Sequence, residues 1–209
     1  MIFRNREEAG KLLGNKLKEL NLKNPIVFGI PRGGVIVANE ISKILNCPID
    51  VVIVSKIPSF YNEEYAIGAI SEDGTIFLRE KENEEFLKKT IERKRRVIEE
   101  RKKIYRSGND LRDLKNHTAI ITDDGIATGE TILIAVKTIK NKNPDMTVVA
   151  VPVSSVDAKE RIEKEVDLFI SLYTPQFFYA VGQFYNDFEQ VDDSYVINIL
   201  EERRRDERI

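Results

Sequence analysis

Cysteine, histidine and tryptophan are nearly missing from this chain, which has one cysteine (Cys47), one histidine (His117) and no tryptophan. A lone cysteine excludes an internal disulfide and fits a reducing compartment. With a single histidine beside it, the Cys/His ligand set of a structural zinc site cannot be assembled, and no metal-ligating residues are singled out. Long apolar runs are missing too. None approaches the roughly 20 residues needed to span a bilayer, and the opening MIFRNREEAG has no signal-peptide core. An excess of one charge is also absent. The 33 Lys and Arg nearly balance 35 Asp and Glu, for a net charge of −2, so nothing overall points to nucleic acid or an acidic membrane surface. The expectation is a cytoplasmic protein with no nucleic-acid and no membrane partner.

What is present is enough apolar material for a core: 42% of 209 residues are hydrophobic, under a surface made polar by 33% charged residues. That suits one domain over 1–209 with embellishments. Residues 6–20 space Ala9, Leu12, Leu13, Leu17 and Leu20 as an amphipathic helix. PIVFGI (25–30) and IDVVIVS (49–55) are short continuous apolar runs, as strands buried on both faces read. VIVANEISKIL (35–45) between them is helical, so 25–55 form one strand–helix–strand unit of a parallel sheet. The stretch 56–78 suits a loop and a hairpin across SEDG. Residues 80–106 form a long charged helix with a narrow apolar stripe and a solvated face; its basic cluster Arg93–Arg96 is interleaved with glutamates. The doubly wound pattern then resumes with strand 118–122, helix 130–140, strand 146–153, helix 155–166 and strand 167–173. An insertion (about 56–115) and a C-terminal cap (about 174–209) complete an α/β fold around a mostly parallel sheet. His117 is expected at a turn and Cys47 as buried filler.

The chemistry concentrates at IITDDGIATGET (120–131). Ligands of open parallel sheets bind beyond the C-terminal strand ends, where Asp123 and Asp124 sit. The turn Gly125–Gly129 lets backbone approach a ligand, and the helix opening there aims free N–H groups and a positive dipole end at the same space. Thr128 and Thr131 add hydroxyl donors. That cradle suits a phosphate. The two carboxylates would repel it, but they can accept hydrogen bonds from vicinal hydroxyls. A phosphate at one end and a diol at the other describe a ribose 5-phosphate. A Walker A loop would need a Gly-Lys pair, and a dinucleotide fingerprint would put the glycines first. PRGG (31–34), after the first sheet strand, reads as a second anion site: Arg32 supplies a fork of donors and Gly33–Gly34 expose amides.

These stretches resemble the type I phosphoribosyltransferases, whose 5-phosphoribosyl 1-diphosphate (PRPP) motif is an apolar strand, two acids and Thr-Gly-x-Thr after a small residue. FRNREEAG, PRGGVIVANEI, VSKI, NEEYAIGAI, the charged helix, DDGIATGET and FYAVGQFYNDF extend the resemblance over nearly the whole length, to predicted members of unassigned substrate. It implies that Asp123 and Asp124 hold the ribose hydroxyls. It also implies that Gly125, Ile126, Ala127, Thr128, Gly129, Glu130 and Thr131 wrap the 5-phosphate. Pro31, Arg32, Gly33 and Gly34 would form the pyrophosphate loop, and the bond before Arg32 is a candidate for a cis peptide. The insertion would supply a flap and the cap a base-covering hood.

The implied reaction displaces pyrophosphate from C1 of PRPP by a nucleobase nitrogen, with Mg²⁺ carried in on the diphosphate. Asp124 and Lys56 are the expected catalytic residues, Lys56 reaching the diphosphate. Residues 57–66 would be the flap, with the choice of Glu63 or Glu64 as general acid or base left open. Where 6-oxopurine enzymes carry Asp, this chain has Ala127, which disfavours hypoxanthine and guanine. Of the aromatics Phe177, Phe178, Tyr179, Phe184, Tyr185 and Phe188, most read as packing, with Tyr185 the preferred base-stacking residue. A homodimer is the expected assembly. The competing readings are a non-catalytic PRPP- or nucleotide-binding regulator on the same fold, and a phosphorylase or phosphatase acting on another sugar phosphate. Asp123–Asp124 together with PRGG favour full PRPP.

Overall fold

The computed structural model describes residues 1–62 and 65–206. Helix α1 (Arg6–Lys18) opens on Asn5, whose side chain accepts the Glu8 N–H at 3.0 Å, a side-chain cap that satisfies one of the orphan donors of the first turn. Then come β1 (Pro25–Gly29), α2 (Gly33–Leu45), β2 (Ile49–Val51), β3 (Val54–Pro58), β4 (Ala66–Ser71), β5 (Ile76–Leu78) and α3 (Glu84–Arg106). The second half continues with β6 (Thr118–Thr122), α4 (Glu130–Lys140), β7 (Met146–Val153), α5 (Val156–Ile162), β8 (Leu168–Tyr173), a 3₁₀ turn (Val181–Phe184) and α6 (Asp193–Asp206).

Five strands pair in parallel in the order β2-β1-β6-β7-β8. Alternate residues of the central strands face opposite ways, as the two-residue period of a strand requires. Val27, Ile120, Val148 and Ala150 join the apolar cluster under α1, α2 and α6. Ile26, Phe28, Ala119, Ile121, Val149 and Val151 join the cluster under α4 and α5. Both faces are covered, which is why these strands read as unbroken apolar runs. The strand order reverses between β1 and β6, and such a switch point leaves a crevice beyond the strand ends.

The continuous run 49–55 is not one strand. β2 ends at Val51, and from Val54 the chain joins a separate antiparallel sheet, β3-β4-β5. The crossing is stitched at Ile53, whose N–H donates to Glu72 Oε1 at 2.9 Å and whose carbonyl accepts the Glu72 N–H at 3.1 Å. Val52 and Ile53 are fully buried, so the run stays apolar while its backbone changes partner. The expected hairpin is present as β4 and β5, with β3 as a third strand. Helix α5 is shorter than the 155–166 expected. Cys47 is buried, and His117 follows a turn with its Nδ1 3.1 Å from the Asn24 carbonyl oxygen. Among the described residues, no helix is long and apolar enough to cross a membrane.

Ile120, at the middle of β6, is fully buried. Ile120→Ala is expected to lower unfolding free energy by about 3 kcal/mol, as transfer and cavity losses add. A denaturation midpoint shift equivalent to less than about 1 kcal/mol would show that the sheet core is not as tightly packed as described.

Candidate active site at the strand switch point

A cavity of about 510 Å³ opens at this switch point. Residues 123–129 and Thr131 line one wall, Pro31, Arg32 and Gly33 line another, and Lys56 of β3 lies on a third. The two helices that start at the cavity differ from α1, α3 and α5. Asn5, Asn83 and Ser155 cap α1, α3 and α5 through their side chains, whereas Arg32 and Gly129, before α2 and α4, make no side-chain cap bond. Uncapped first-turn N–H groups facing a cavity leave donors and a positive dipole end for an anion. Gly129 reaches this geometry at φ +85°, in the left-handed region that costs glycine least. The Pro31–Arg32 peptide is cis, the bond singled out in the sequence.

Residues 125–128 are fastened to the next strand. Ile126 donates its N–H to the Val153 carbonyl at 2.9 Å and accepts the Ser155 N–H at 2.9 Å. Ser155 Oγ donates to the Ala127 carbonyl at 2.6 Å. The loop keeps its shape through these bonds, with its Ala127 and Thr128 side chains exposed.

Three predicted ligands stand behind the wall. A Cβ at Gly34 would lie 2.8 Å from the Asp123 Cα, so Gly34 is there to let the two loops touch and does not line the cavity. The Glu130 carboxylate is turned away and pairs with Arg79 at 3.1 Å and Arg161 at 3.5 Å; an acid in the first turn of α4 is stabilised by the helix dipole as well. Tyr185, predicted to stack on a base, is buried between Phe3 and Phe188, with ring centroids 5.4 and 5.0 Å away. Its hydroxyl donates to the Asp124 carbonyl at 2.6 Å. The Tyr185 ring is used up in packing, and it positions the motif's backbone instead. Phe177 and Tyr179 are exposed, and none of the six tail aromatics lines the cavity, which meets the tail at Val181. Glu63 and Glu64 lie outside the described residues.

Three side chains escaped sequence reasoning, one behind Asp124 and outside the cavity lining, two on the cavity wall. Arg6 of α1 donates from Nε to Asp124 Oδ2 at 2.8 Å and from Nη1 to the Glu189 carbonyl at 2.9 Å, and its guanidinium lies 3.8 Å over the Phe188 ring. Lys94 and Arg101 of α3 line the cavity. The signal for these two was available: positions 94, 98, 101 and 105 share one helix face at spacings of four, three and four. Ile98 and Tyr105 on that face are buried.

Burial, reinforced by the Asp124 charge, pushes the Asp123 carboxyl well above the usual carboxylate range. Burial also raises Asp124, against the opposing hydrogen bond and charge of Arg6. Burial pushes up the Tyr185 phenol, with the Asp124 charge adding to it. A carboxyl that holds its proton more tightly folded than unfolded erodes stability as pH rises from the unfolded value, about 3.9, through the folded one. Asp123→Asn removes that loss while keeping an oxygen for the Asp124 N–H, which Asp123 Oδ1 accepts at 2.9 Å. The variant is therefore expected to melt higher than wild type at pH 8, with the gap closing toward pH 3. Thermal melts across that range decide it, and a variant no more stable at pH 8 would contradict the buried, like-charged pair.

Comparison with known proteins bears on the family of the chain. A phosphoribosyl transferase domain model matches residues 1–189. A Mycobacterium tuberculosis protein named "Putative phosphoribosyl transferase" is 37% identical over 215 residues, which cover 98% of this chain and 48% of that protein. The chain thus spans about half the length of the curated relatives it matches. The crystal structure of TT1426 from Thermus thermophilus superposes with a TM-score of 0.82 at 38% identity, covering 97% of this chain and 99% of that one. A purine phosphoribosyltransferase from Pyrococcus horikoshii shares the fold alone, with a TM-score of 0.52 at 16% identity and coverage of 90% and 92%. The match over residues 1–189 leads to one conclusion: the chain belongs to the phosphoribosyl transferase domain family.

Proposed function

We propose that the protein transfers the 5-phosphoribosyl group of PRPP to a nucleobase-like acceptor and releases pyrophosphate. One observation carries this reading. A single cavity combines an uncapped helix start, two adjacent carboxylates and a cationic wall that includes Arg32 and Lys56. A ribose bearing a 5-phosphate and a 1-diphosphate presents the matching sequence of groups: phosphate, diol, diphosphate.

In this reading the 5-phosphate takes the N–H groups of residues 125–131 with the Thr128 and Thr131 hydroxyls. Asp123 and Asp124 accept from the ribose hydroxyls. Arg32 and Lys56 hold the diphosphate. The C1–O bond to the diphosphate breaks, its electron pair leaving with pyrophosphate, and a C1–N bond forms to the acceptor, which gives up a proton. The transition state resembles an oxocarbenium ion, so catalysis is positioning plus stabilisation of separating charge. Asp124, hydrogen-bonded by Arg6, lies on the side where positive charge would develop on the sugar. Mg²⁺ fits as cargo of the diphosphate, because a cation that keeps its waters and binds through substrate phosphates needs no all-protein cage. Ala127 places no carboxylate at the acceptor, which argues against 6-oxopurines. The cytoplasm is the proposed location, on the strength of the lone, buried Cys47.

The test is a pyrophosphate-release assay with Mg²⁺, PRPP and a panel of bases. Release with at least one base is expected. Tight PRPP binding without release from any base would favour a regulator, and no PRPP binding would sink both readings. The double variant Asp123→Asn, Asp124→Asn is expected to stay folded and to lose PRPP affinity by 100-fold or more, about 3 kcal/mol; unchanged affinity in a titration would refute the diol clamp.

A further inference from the structure

We infer that helix α3, outside both sequence motifs, completes the anion site: Lys94 and Arg101 bind the terminal diphosphate of the ligand beside Arg32 and Lys56. The inference rests on the PRPP reading above for the identity of the ligand, and on the cavity for its chemistry.

Charge balance is the first reason. Among the described residues, the cationic side chains Arg32, Lys56 and Arg101 line the cavity with the acidic Asp123 and Asp124, and Lys94 stands on the same wall as Arg101. Asp123 gains a proton more readily than an ordinary carboxyl, which widens the imbalance. Cations converging on a half-enclosed space repel one another. An occupant with several negative charges relieves this. Ribose 5-phosphate carries about two, already served by the α4 end of the cavity. A diphosphate adds about three more.

Position is the second reason. Arg101 and Arg32 both lie near enough to the Tyr105 phenol for their charges to oppose the burial that raises it, which puts Arg101 on the PRGG side of the cavity. Around it α3 is fixed in place. Tyr105, one turn beyond Arg101, hydrogen-bonds Asp193, and Arg106 pairs with Glu72. Lys102 bridges Asp110 at 2.6 Å. Lys94 and Arg101 are half-buried on the inner face, while Arg96 on the outer face is exposed and pairs with Glu92 at 2.8 Å. The helix therefore divides its cations into a solvated set and a set held over the cavity. Arginine's planar fork suits a bidentate phosphate contact, and the lysine adds a point charge.

The experiment titrates wild type, Lys94→Gln, Arg101→Gln and the outer-face control Arg96→Gln with inorganic pyrophosphate and, separately, with ribose 5-phosphate. Circular dichroism and melting temperature check the fold of each. Lys94→Gln and Arg101→Gln are each expected to lose about tenfold or more in pyrophosphate affinity, the size of one charge-assisted contact. Ribose 5-phosphate affinity should stay within about twofold, and Arg96→Gln should match wild type. Unchanged pyrophosphate affinity in the inner-face variants, or no pyrophosphate binding by wild type, overturns the inference. So does a parallel loss of both ligands. Selective loss of pyrophosphate in a protein that binds neither ribose 5-phosphate nor PRPP would leave α3's role standing and sink the PRPP reading instead.

Discussion

The site depends on how closely the loop after β1 presses against the loop after β6. A Cβ at Gly33 would lie 2.1 Å from Asp124 Oδ2, and one at Gly34 would lie 2.9 Å from the Thr122 carbonyl oxygen. Gly34 meets backbone and leaves no room for a side chain, and a side chain at Gly33 would displace the Asp124 carboxylate. The contact follows from the pairing of β1 with β6, Gly29 opposite Thr122, which brings both strand ends to the same level. It also explains the electrostatics. Backing Asp123 and Asp124 with another loop strips them of water on one side, so the carboxyls gain protons more readily than free ones. The wall that makes the cavity is the wall that strains its charges.

Arg6 offsets part of that strain. One guanidinium reaches Asp124, the Glu189 carbonyl and the Phe188 ring, linking the N-terminal helix, the β6 loop and the tail. Tyr185 supports the same point from the other side through the Asp124 carbonyl. Phe3, Phe184 and Tyr185 form an apolar cluster around this support, so the tail's aromatic residues serve mainly to hold Asp124. A second cationic support reaches Asp123 through Lys56, whose charge lowers that carboxyl against the larger effect of burial.

Much of this was legible in the residues, and the failures have identifiable causes. The bounds of α4 and β7 agree with the runs ETILIAVKTIK and MTVVAVPV, because both are punctuated by glycine, asparagine or proline. The break between β2 and β3 was not legible. Two buried strands of different sheets abut with no polar residue between Val51 and Val54, so apolarity alone cannot show a change of partner. PRGG and DDGIATG were recognisable as ligand loops, but Gly34, Glu130 and Tyr185 look outward, backward or inward for reasons of packing that lie about 90 residues away in the case of Gly34 and Asp123. Lys94 and Arg101 were hidden by their neighbours. In a helix so rich in charge, the inner cations show only against the stripe of Ile98 and Tyr105. Arg6 was invisible for a different reason: its partner is 118 positions along the chain.

The bonds that hold residues 125–128 to Val153 and Ser155 have a consequence for the energetics of recognition. A loop of glycines and small residues left to itself would sample many shapes and give up that freedom on meeting a ligand. Here the ordering occurs during folding, in an edgewise bridge between the motif and the β7–α5 connection. The cradle is therefore pre-organised, and the entropy that association would otherwise lose in that loop stays out of the binding free energy. Affinity for the phosphorylated end of a ligand would then reflect contacts almost alone, and it would be set by the stability of the sheet that carries the loop.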